Sequence, residues 1–248
     1  MNPAEYDNLA LLEESMWWFR GMRKILFRLL DRRARQWPAA RALDAGCGTG
    51  AMAHALAKRY GWKVTGVDIS RDGLRKAVQL GRRDVVACDA RRLPFADAGF
   101  DAVISLDMLV HLEPGEEAQV FQEFARVLKP GGLVAVRAAA FTTLRSRHSV
   151  FVGERQRFCA QQLRTSAQAV GITPLRLTYA NTLLLPVAWL KFRVWEPLTN
   201  ARVESAVKPA PGWLDRLLYA PLAMEAAWLG SGRNLPVGQS VLLLGEKR

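Results

Sequence analysis

Cysteine is scarce in this 248-residue chain, and the three present, Cys47, Cys88 and Cys159, are odd in number and far apart. No pair of them has the spacing of a metal knuckle, and they cannot make a disulfide framework. That pattern predicts a reducing compartment and no metal site. Long apolar runs are also missing. The most hydrophobic stretch, "TLLLPVAWL" (182–190), is too short to span a bilayer and meets Lys191 and Arg193 at once. The first residues, "MNPAEYDNLALLEES", are too polar and acidic for a signal peptide, so the expected location is cytoplasmic. No internal repeat or low-complexity tract is visible. Acid is in short supply: 23 Asp and Glu face 35 Lys and Arg, for a net charge of +12. Such a surplus suits nucleic acid, an acidic headgroup or an acidic substrate, but does not choose among them.

Half of the residues are hydrophobic, enough for one large core. Apolar residues at Leu12, Met16, Phe19, Met22, Leu26, Leu29 and Leu30 recur at helical spacing. They predict one long helix over 9–35, stopped by Pro38. Its other face carries Arg20, Lys24, Arg28, Arg32 and Arg35, read as a solvated stripe. From residue 41 onward short β-rich runs alternate with helical ones. Strands are expected at 41–44, 63–67, 84–88, 101–106 and 133–138. Helices are expected at 50–60, 71–80, 116–128 and 155–170. Further strands follow at 171–181 and 239–247. Repeated strand–helix–strand units predict a doubly wound, mostly parallel, seven-stranded sheet. Its cleft would lie at the strands' carboxyl ends.

The organisation expected is a single domain over 1–248. A helical cap covers 1–40, a core covers 41–180 and 237–248, and a helical insertion covers 181–236. The stretch between the last two strands, about 55 residues, is far too long for an ordinary connection. It holds Trp189, Trp195, Trp213 and Trp228. Leu214, Leu217, Leu218, Leu222 and Trp228 are expected on one helical face, interrupted by Pro221.

The chemistry concentrates in "LDAGCGTG" (43–50). The spacing Gly46-x-Gly48-x-Gly50 is one residue shorter than a dinucleotide fingerprint, and Asp44 precedes it. No Lys-Ser/Thr follows, so it is not a phosphate-cradling loop. An acid at the mouth repels phosphate and suits a ligand carrying ammonium and sulfonium groups. The glycines let a bulky ligand approach the backbone. Asp68, in "VTGVDIS", ends the second strand, where a carboxylate can accept hydrogen bonds from a ribose diol. Asp89, in "ACDARRLPF", ends the third, within reach of an adenine amino group. After the fourth strand, "SLDMLVHLEP" offers Asp107 and His111. One helical turn separates them, so both could face the cleft. They are the candidate catalytic residues, with His111 suited to act as a base.

These segments, with "DARRLPFADAGFDAVIS" and "RVLKPGGLVAV", resemble the successive motifs of class I S-adenosylmethionine-dependent methyltransferases. The resemblance runs over 41–180 and the final strand. It implies the Rossmann-like fold of that family and S-adenosyl-L-methionine as cofactor. It places Asp44, Gly46, Cys47, Gly48 and Gly50 under the methionine half, Asp68 on the ribose and Ile69 against the adenine. Asp89 and Ala90 would hold the adenine edge, and Leu106 would line the inner wall. Lys129-Pro-Gly-Gly would be a structural turn. The flank "MWWFRGMRKIL" resembles that of bacterial methyltransferases of glycan and secondary-metabolite pathways. There it folds over the cofactor, which implies roles for Trp18 and Arg23. His148, in "HSVFVGE", departs from that pattern at Ser149 and Glu154.

The expected acceptor is a hydroxyl, carboxyl or amine of a small or lipid-linked molecule, with peripheral membrane contact as a further expectation. An RNA acceptor and a non-catalytic cofactor-binding partner are the alternatives. The loop at 105–108 lacks the Asn/Asp-Pro-Pro-aromatic motif that grips a flipped base, and no Pro-Cys dipeptide stands there. No RNA-binding module is appended. Arg20, Lys24, Lys191 and Arg193 would rim an apolar acceptor pocket beneath a lid made by the first helix and the insertion.

Overall fold

The computed structural model describes residues 2–37, 40–199 and 203–248. Its sheet has seven strands: β1 (Arg41–Ala45), β2 (Lys63–Asp68), β3 (Val85–Ala87), β4 (Phe100–Leu106), β5 (Leu128–Ala139), β6 (Ile172–Ala180) and β7 (Ser240–Lys247). Their order is β3-β2-β1-β4-β5-β7-β6. β1 to β5 run parallel, and β7 enters antiparallel to both β5 and β6. The expected doubly wound sheet is present. The Lys129-Pro-Gly-Gly turn lies inside β5, where the register against β4 slips between Phe100 and Ala102.

Helices cover both faces. They are α1 (Pro3–Leu12), α2 (Trp17–Ala34), α3 (Ala51–Tyr60), α4 (Arg71–Gln79), α5 (Glu117–Val127), α6 (Arg147–Phe151) and α7 (Ala160–Ala169). The 182–236 segment adds α8 (Leu185–Leu190), α9 (Glu196–Leu198) and α10 (Gly212–Gly230). Strand alternation sorts the side chains between two cores. Leu43, Val103, Val134 and Val136 point to α5 and α7, meeting Phe121, Phe124 and Leu163. Ala42, Ile104, Leu133 and Ala135 point the other way, to Leu26, Leu30 and Leu56 of α2 and α3. No helix among the described residues is long and apolar enough to cross a membrane.

The chain departs from the predicted helices in two places. The single helix over 9–35 is two, α1 and α2, broken over residues 13–16. The break lets Glu13 turn inward, and a distant residue caps the second helix: Trp17 N–H donates to Asp215 Oδ1 at 2.7 Å. Pro38 lies outside the described residues; α2 ends before it. The helix expected from 155 starts at Ala160.

The basic stripe of α2 is not simply solvated. Arg20 pairs with Asp215 of α10 at 2.9 Å and lies over the Tyr219 ring, which Lys24 also approaches. Both cations are thus engaged by α10. In α10 the buried face is Leu222, Glu225, Ala226 and Leu229, while Leu217 and Trp228 are exposed. This face packs on Met22, Ile25 and Leu29 of α2 and on Leu242 of β7. Gly21 allows the close approach: a Cβ there would lie 2.4 Å from Leu222 Cδ1. Glu225, also inward, accepts the backbone N–H groups of Asn181, Thr182 and Leu183. It ties α10 to the end of β6.

Candidate cofactor and acceptor site

The glycine loop leaves β1 through three left-handed residues, Gly46, Gly48 and Gly50, with φ of +80°, +54° and +76°. Only glycine holds that backbone without strain. At Gly46 space forbids a side chain too, since a Cβ would fall 2.4 Å from Met108 Cβ. Asp68 fastens the loop to the end of β2. Its Oδ2 accepts Gly48 N–H and its Oδ1 accepts Ser70 N–H, both at 2.8 Å. Each oxygen keeps a second lone pair for a ligand. Cys47 packs behind the loop, filling space that Gly66 leaves open. Burial pushes its thiol far up, so it is not a nucleophile at neutral pH.

Asp44 is the electrostatic anomaly. It is buried, and its Oδ2 has no partner among the described residues. Burial pushes its pKa up to about 7. The charges of Asp68 and Glu13 push the same way, and the Ala53 backbone N–H offsets them only in part. A buried carboxylate of this kind is costly unless a cation answers it. The loop and Asp44 carry no positive charge of their own, and the neighbouring Arg82 is answered by Glu13 and Glu14. That fits a ligand with an ammonium group and disfavours a phosphate.

The residues that close over the loop are Tyr6 and Glu13, which are not among the expected site residues. Tyr6 of α1 is buried over Gly48 and Gly73, and a Cβ at Gly73 would sit 2.7 Å from its ring. Burial, then the nearby Asp68 charge, pushes the Tyr6 hydroxyl up to about 12. Glu13 accepts hydrogen bonds from the Thr49 hydroxyl and from Arg82 Nη1, the latter at 2.9 Å. Arg82 also donates to the Thr49 carbonyl at 2.7 Å and pairs with Glu14. This latch joins α1 to the glycine loop across more than thirty residues of sequence. The one hint was the acid pair Glu13-Glu14 in a basic chain.

At the end of β4, Asp107 stands in the left-handed region with φ +59°. Its carboxylate is held by Arg137 of β5, whose Nε donates to both oxygens at 3.2 and 3.1 Å. Arg137 in turn lies 4.9 Å from the Trp18 ring centre. The expectation that Asp107 and His111 share a helical face is corrected here. A left-handed residue is followed by a short 3-10 turn, Leu109–His111. Asp107 is an ion-pair partner and no free base.

His111 faces an open hollow of about 520 Å³, with Glu113, Arg145, Val150, Glu154 and Arg155 on its wall. Burial pulls its pKa below the usual histidine value. Nδ1 lies 3.4 Å from the Gly153 carbonyl, so a proton on Nδ1 leaves Nε2 as the acceptor.

The other candidates are spread around the cleft. Ile69 is 71% exposed just after β2, ready to take a flat ring. Ala90 and Leu106 are half-buried at the ends of β3 and β4. The Asp89 carboxylate is occupied by its neighbour: Arg91 donates from its backbone N–H at 2.9 Å and from Nε at 3.0 Å. That pairing holds Asp89 below the ordinary carboxylate range. Arg23 lies apart, in a groove between α2 and α3 with His54, and donates to the Glu14 carbonyl at 3.1 Å. His148 Nδ1 accepts the Ala206 N–H at 3.1 Å, which anchors the segment after 203. Ser149 and Glu154 both bond Arg157, so that loop is held by a buried polar network.

Comparison with known proteins agrees with this geometry. Residues 42–132 match the family described as a methyltransferase domain. The 2-methyl-6-phytyl-1,4-hydroquinone methyltransferase of Synechocystis sp. is 40% identical over 103 residues, which cover 40% of this chain and 32% of that protein. Methyltransferase GfsG of Streptomyces halstedii is 34% identical over 142 residues, covering 54% and 47%. The matched part thus spans a third to a half of the length of these curated relatives. A SAM-dependent methyltransferase of Archaeoglobus fulgidus superposes with a TM-score of 0.57 at 21% identity, over 96% of this chain and 98% of that one. At such identity the likeness shows the fold.

Proposed function

Since the chain belongs to the class I S-adenosylmethionine-dependent methyltransferases, we propose that it methylates a hydroxyl, carboxyl or amine of a small organic acceptor. The observation that carries this reading is the buried Asp44 carboxylate, whose Oδ2 has no partner among the described residues, beside a left-handed glycine loop. When bound, S-adenosylmethionine supplies an electrophilic methyl on a good, neutral leaving group. The chain's own task is then to hold, orient and shield.

Asp44 answers the ammonium charge, and the Gly46–Gly50 backbone lies against the methionine part. Asp68 accepts from the ribose diol while still holding Gly48 and Ser70. Ile69 forms one wall for the adenine, and Ala90 borders its edge, because the Asp89 side chain is engaged by Arg91. Leu106 and Trp18 border the inner end. Tyr6 and the Glu13–Arg82 latch exclude water from the loop, and α1 forms the cover together with the segment after 203, which is bonded to it through Ser205 and Glu5. For a hydroxyl acceptor, the proton passes from the acceptor oxygen to His111 Nε2. Burial favours the neutral form of His111, the form a base needs.

The curated relatives named for a phytyl hydroquinone, for sterols and for a demethylrifamycin support an acceptor with a sizeable apolar body. The test is calorimetry with S-adenosylhomocysteine, followed by labelled-methyl transfer to a panel of phenolic and carboxylic acceptors. Binding is expected, and Asp68→Ala should weaken it by about 1–3 kcal/mol through lost charge-assisted hydrogen bonds. No binding by the intact chain, or tight binding of NADH instead, would overturn the reading.

A further inference from the structure

From Leu185 to Leu198 the chain is helical throughout. A π-type turn over Lys191–Trp195 joins α8 to α9. The length is about 21 Å at the usual helical rise. Only one narrow side of this rod is docked. Ala188 is buried and Phe192 half-buried, and Glu196 accepts the Arg147 N–H at 2.8 Å while Arg147 also grips the 199 end. The remaining circumference is exposed and apolar. Val187 is 62% exposed, Leu190 56%, Trp195 66% and Leu198 78%, with Trp189 and Val194 beside them.

Such a continuous apolar surface on a water-facing helix calls for an occupant. The charges on the rod select one. Its exposed cations are Lys191 and Arg193. Its sole acid from 183 to 198 is Glu196, which is turned inward onto Arg147. A second copy docked by the same face would set these cations against their own symmetry mates, with no acid in the segment to answer them. An anionic lipid surface meets both demands at once. Its acyl boundary accepts the tryptophan and leucine side chains, and its headgroups accept Lys191 and Arg193. The docked inner side keeps the rod parallel to the protein surface, the posture of an interfacial helix.

We infer that α8–α9 is a membrane-contact element by which the protein rests on an anionic bilayer surface. The inference goes beyond the proposed reaction and does not depend on it. Its use, access to acceptors dissolved in lipid, does rest on that reaction.

The experiment is co-sedimentation of the full chain with vesicles of phosphatidylcholine alone and with a third of phosphatidylglycerol. Two variants accompany it: Trp189→Ser with Trp195→Ser, and Lys191→Glu with Arg193→Glu. The intact chain should prefer the anionic vesicles by about ten-fold or more, and salt should weaken the association. The tryptophan variant should lose about ten-fold in partitioning, and the charge-reversed variant should lose its preference for anionic vesicles. Both should bind S-adenosylhomocysteine as the intact chain does, because these four side chains are exposed and hold no hydrogen bond to the glycine loop or Asp68. That control separates failure of the surface from failure of the cofactor reading. No association with anionic vesicles, or unchanged binding by the tryptophan variant, overturns the inference. So does a dimer in sedimentation equilibrium that the tryptophan variant abolishes while vesicle binding is absent.

Discussion

Arg137 holds Asp107 in a conformation that few non-glycine residues adopt. It donates from Nε to both carboxylate oxygens, and its own carbonyl accepts the Asp107 N–H at 2.8 Å. The Arg137 side chain is 7% exposed and that of Asp107 34%. Removing the cation leaves a half-buried carboxylate without its partner and a left-handed turn without its clamp. Arg137→Met should therefore lower stability by about 2–4 kcal/mol in urea unfolding. Arg137→Lys should recover only part, because an ammonium cannot fork onto both oxygens. Equal stability of Arg137→Met and the intact chain would show that the pair does not hold the turn.

Asp44 predicts a pH dependence of ligand binding. Its pKa is raised from 3.8 to about 7 in the folded, ligand-free chain. Between those values the folded chain binds a proton that the unfolded chain has released. The cost to stability is absent below pH 3.8, grows through this window and is complete above about 7. A cationic ligand needs the carboxylate charged, so its apparent affinity should rise about ten-fold per pH unit up to pH 7 and then level off. Calorimetry with S-adenosylhomocysteine at several pH values checks this. Asp44→Asn should bind weakly with a flatter profile, and a flat profile in the intact chain would contradict the assignment.

His111 separates chemistry from binding. His111→Ala should slow methyl transfer to a hydroxyl acceptor by about 10²-fold or more and leave S-adenosylhomocysteine affinity nearly unchanged. Burial lowers the pKa, so the rate of the intact enzyme should climb on a limb below the ordinary histidine value. If affinity falls with turnover, the residue packs against the ligand instead.

The contact between α2 and α10 is tight enough to fail from one methyl group. In Gly21→Ala the new Cβ would meet Leu222 Cδ1 at 2.4 Å and Leu222 Cβ at 2.6 Å. The helices must separate, at a cost of about 1–3 kcal/mol. Adding Leu222→Gly removes every atom of that clash, so the two changes should couple in a double-mutant cycle of thermal unfolding.

The legible parts of this chain are those encoded locally. The glycine triplet must be left-handed, so "LDAGCGTG" announced its loop. Asp68 was readable because a carboxylate ending the second strand has one main use beside such a loop. What escaped depends on partners distant in sequence. Asp107 reads as a free acid until Arg137, thirty residues on, is seen across the strand. Tyr6 and Glu13 look like ordinary members of a polar, acidic N-terminal stretch until the fold closes them over Gly48 and Thr49. In α10, leucine and tryptophan spacing suggested a buried face through Leu217 and Trp228. The buried polar Glu225 marks the true one, because carboxylate bonds to the backbone at 181–183 outweighed side-chain apolarity.

The placement of β7 also imposes a timetable on synthesis. Among the described residues β6 is paired with β7 alone, and β7 in turn separates β6 from β5. The five parallel strands and their helices are all translated by residue 139 and can close on one another while the ribosome is still working. β6 is made next, yet finds no docking edge until residues 240–247 emerge, about sixty residues later. In that interval its unpaired edges and the tryptophan-rich insertion emerge together, the moment at which the nascent chain most needs a chaperone or a nearby apolar surface.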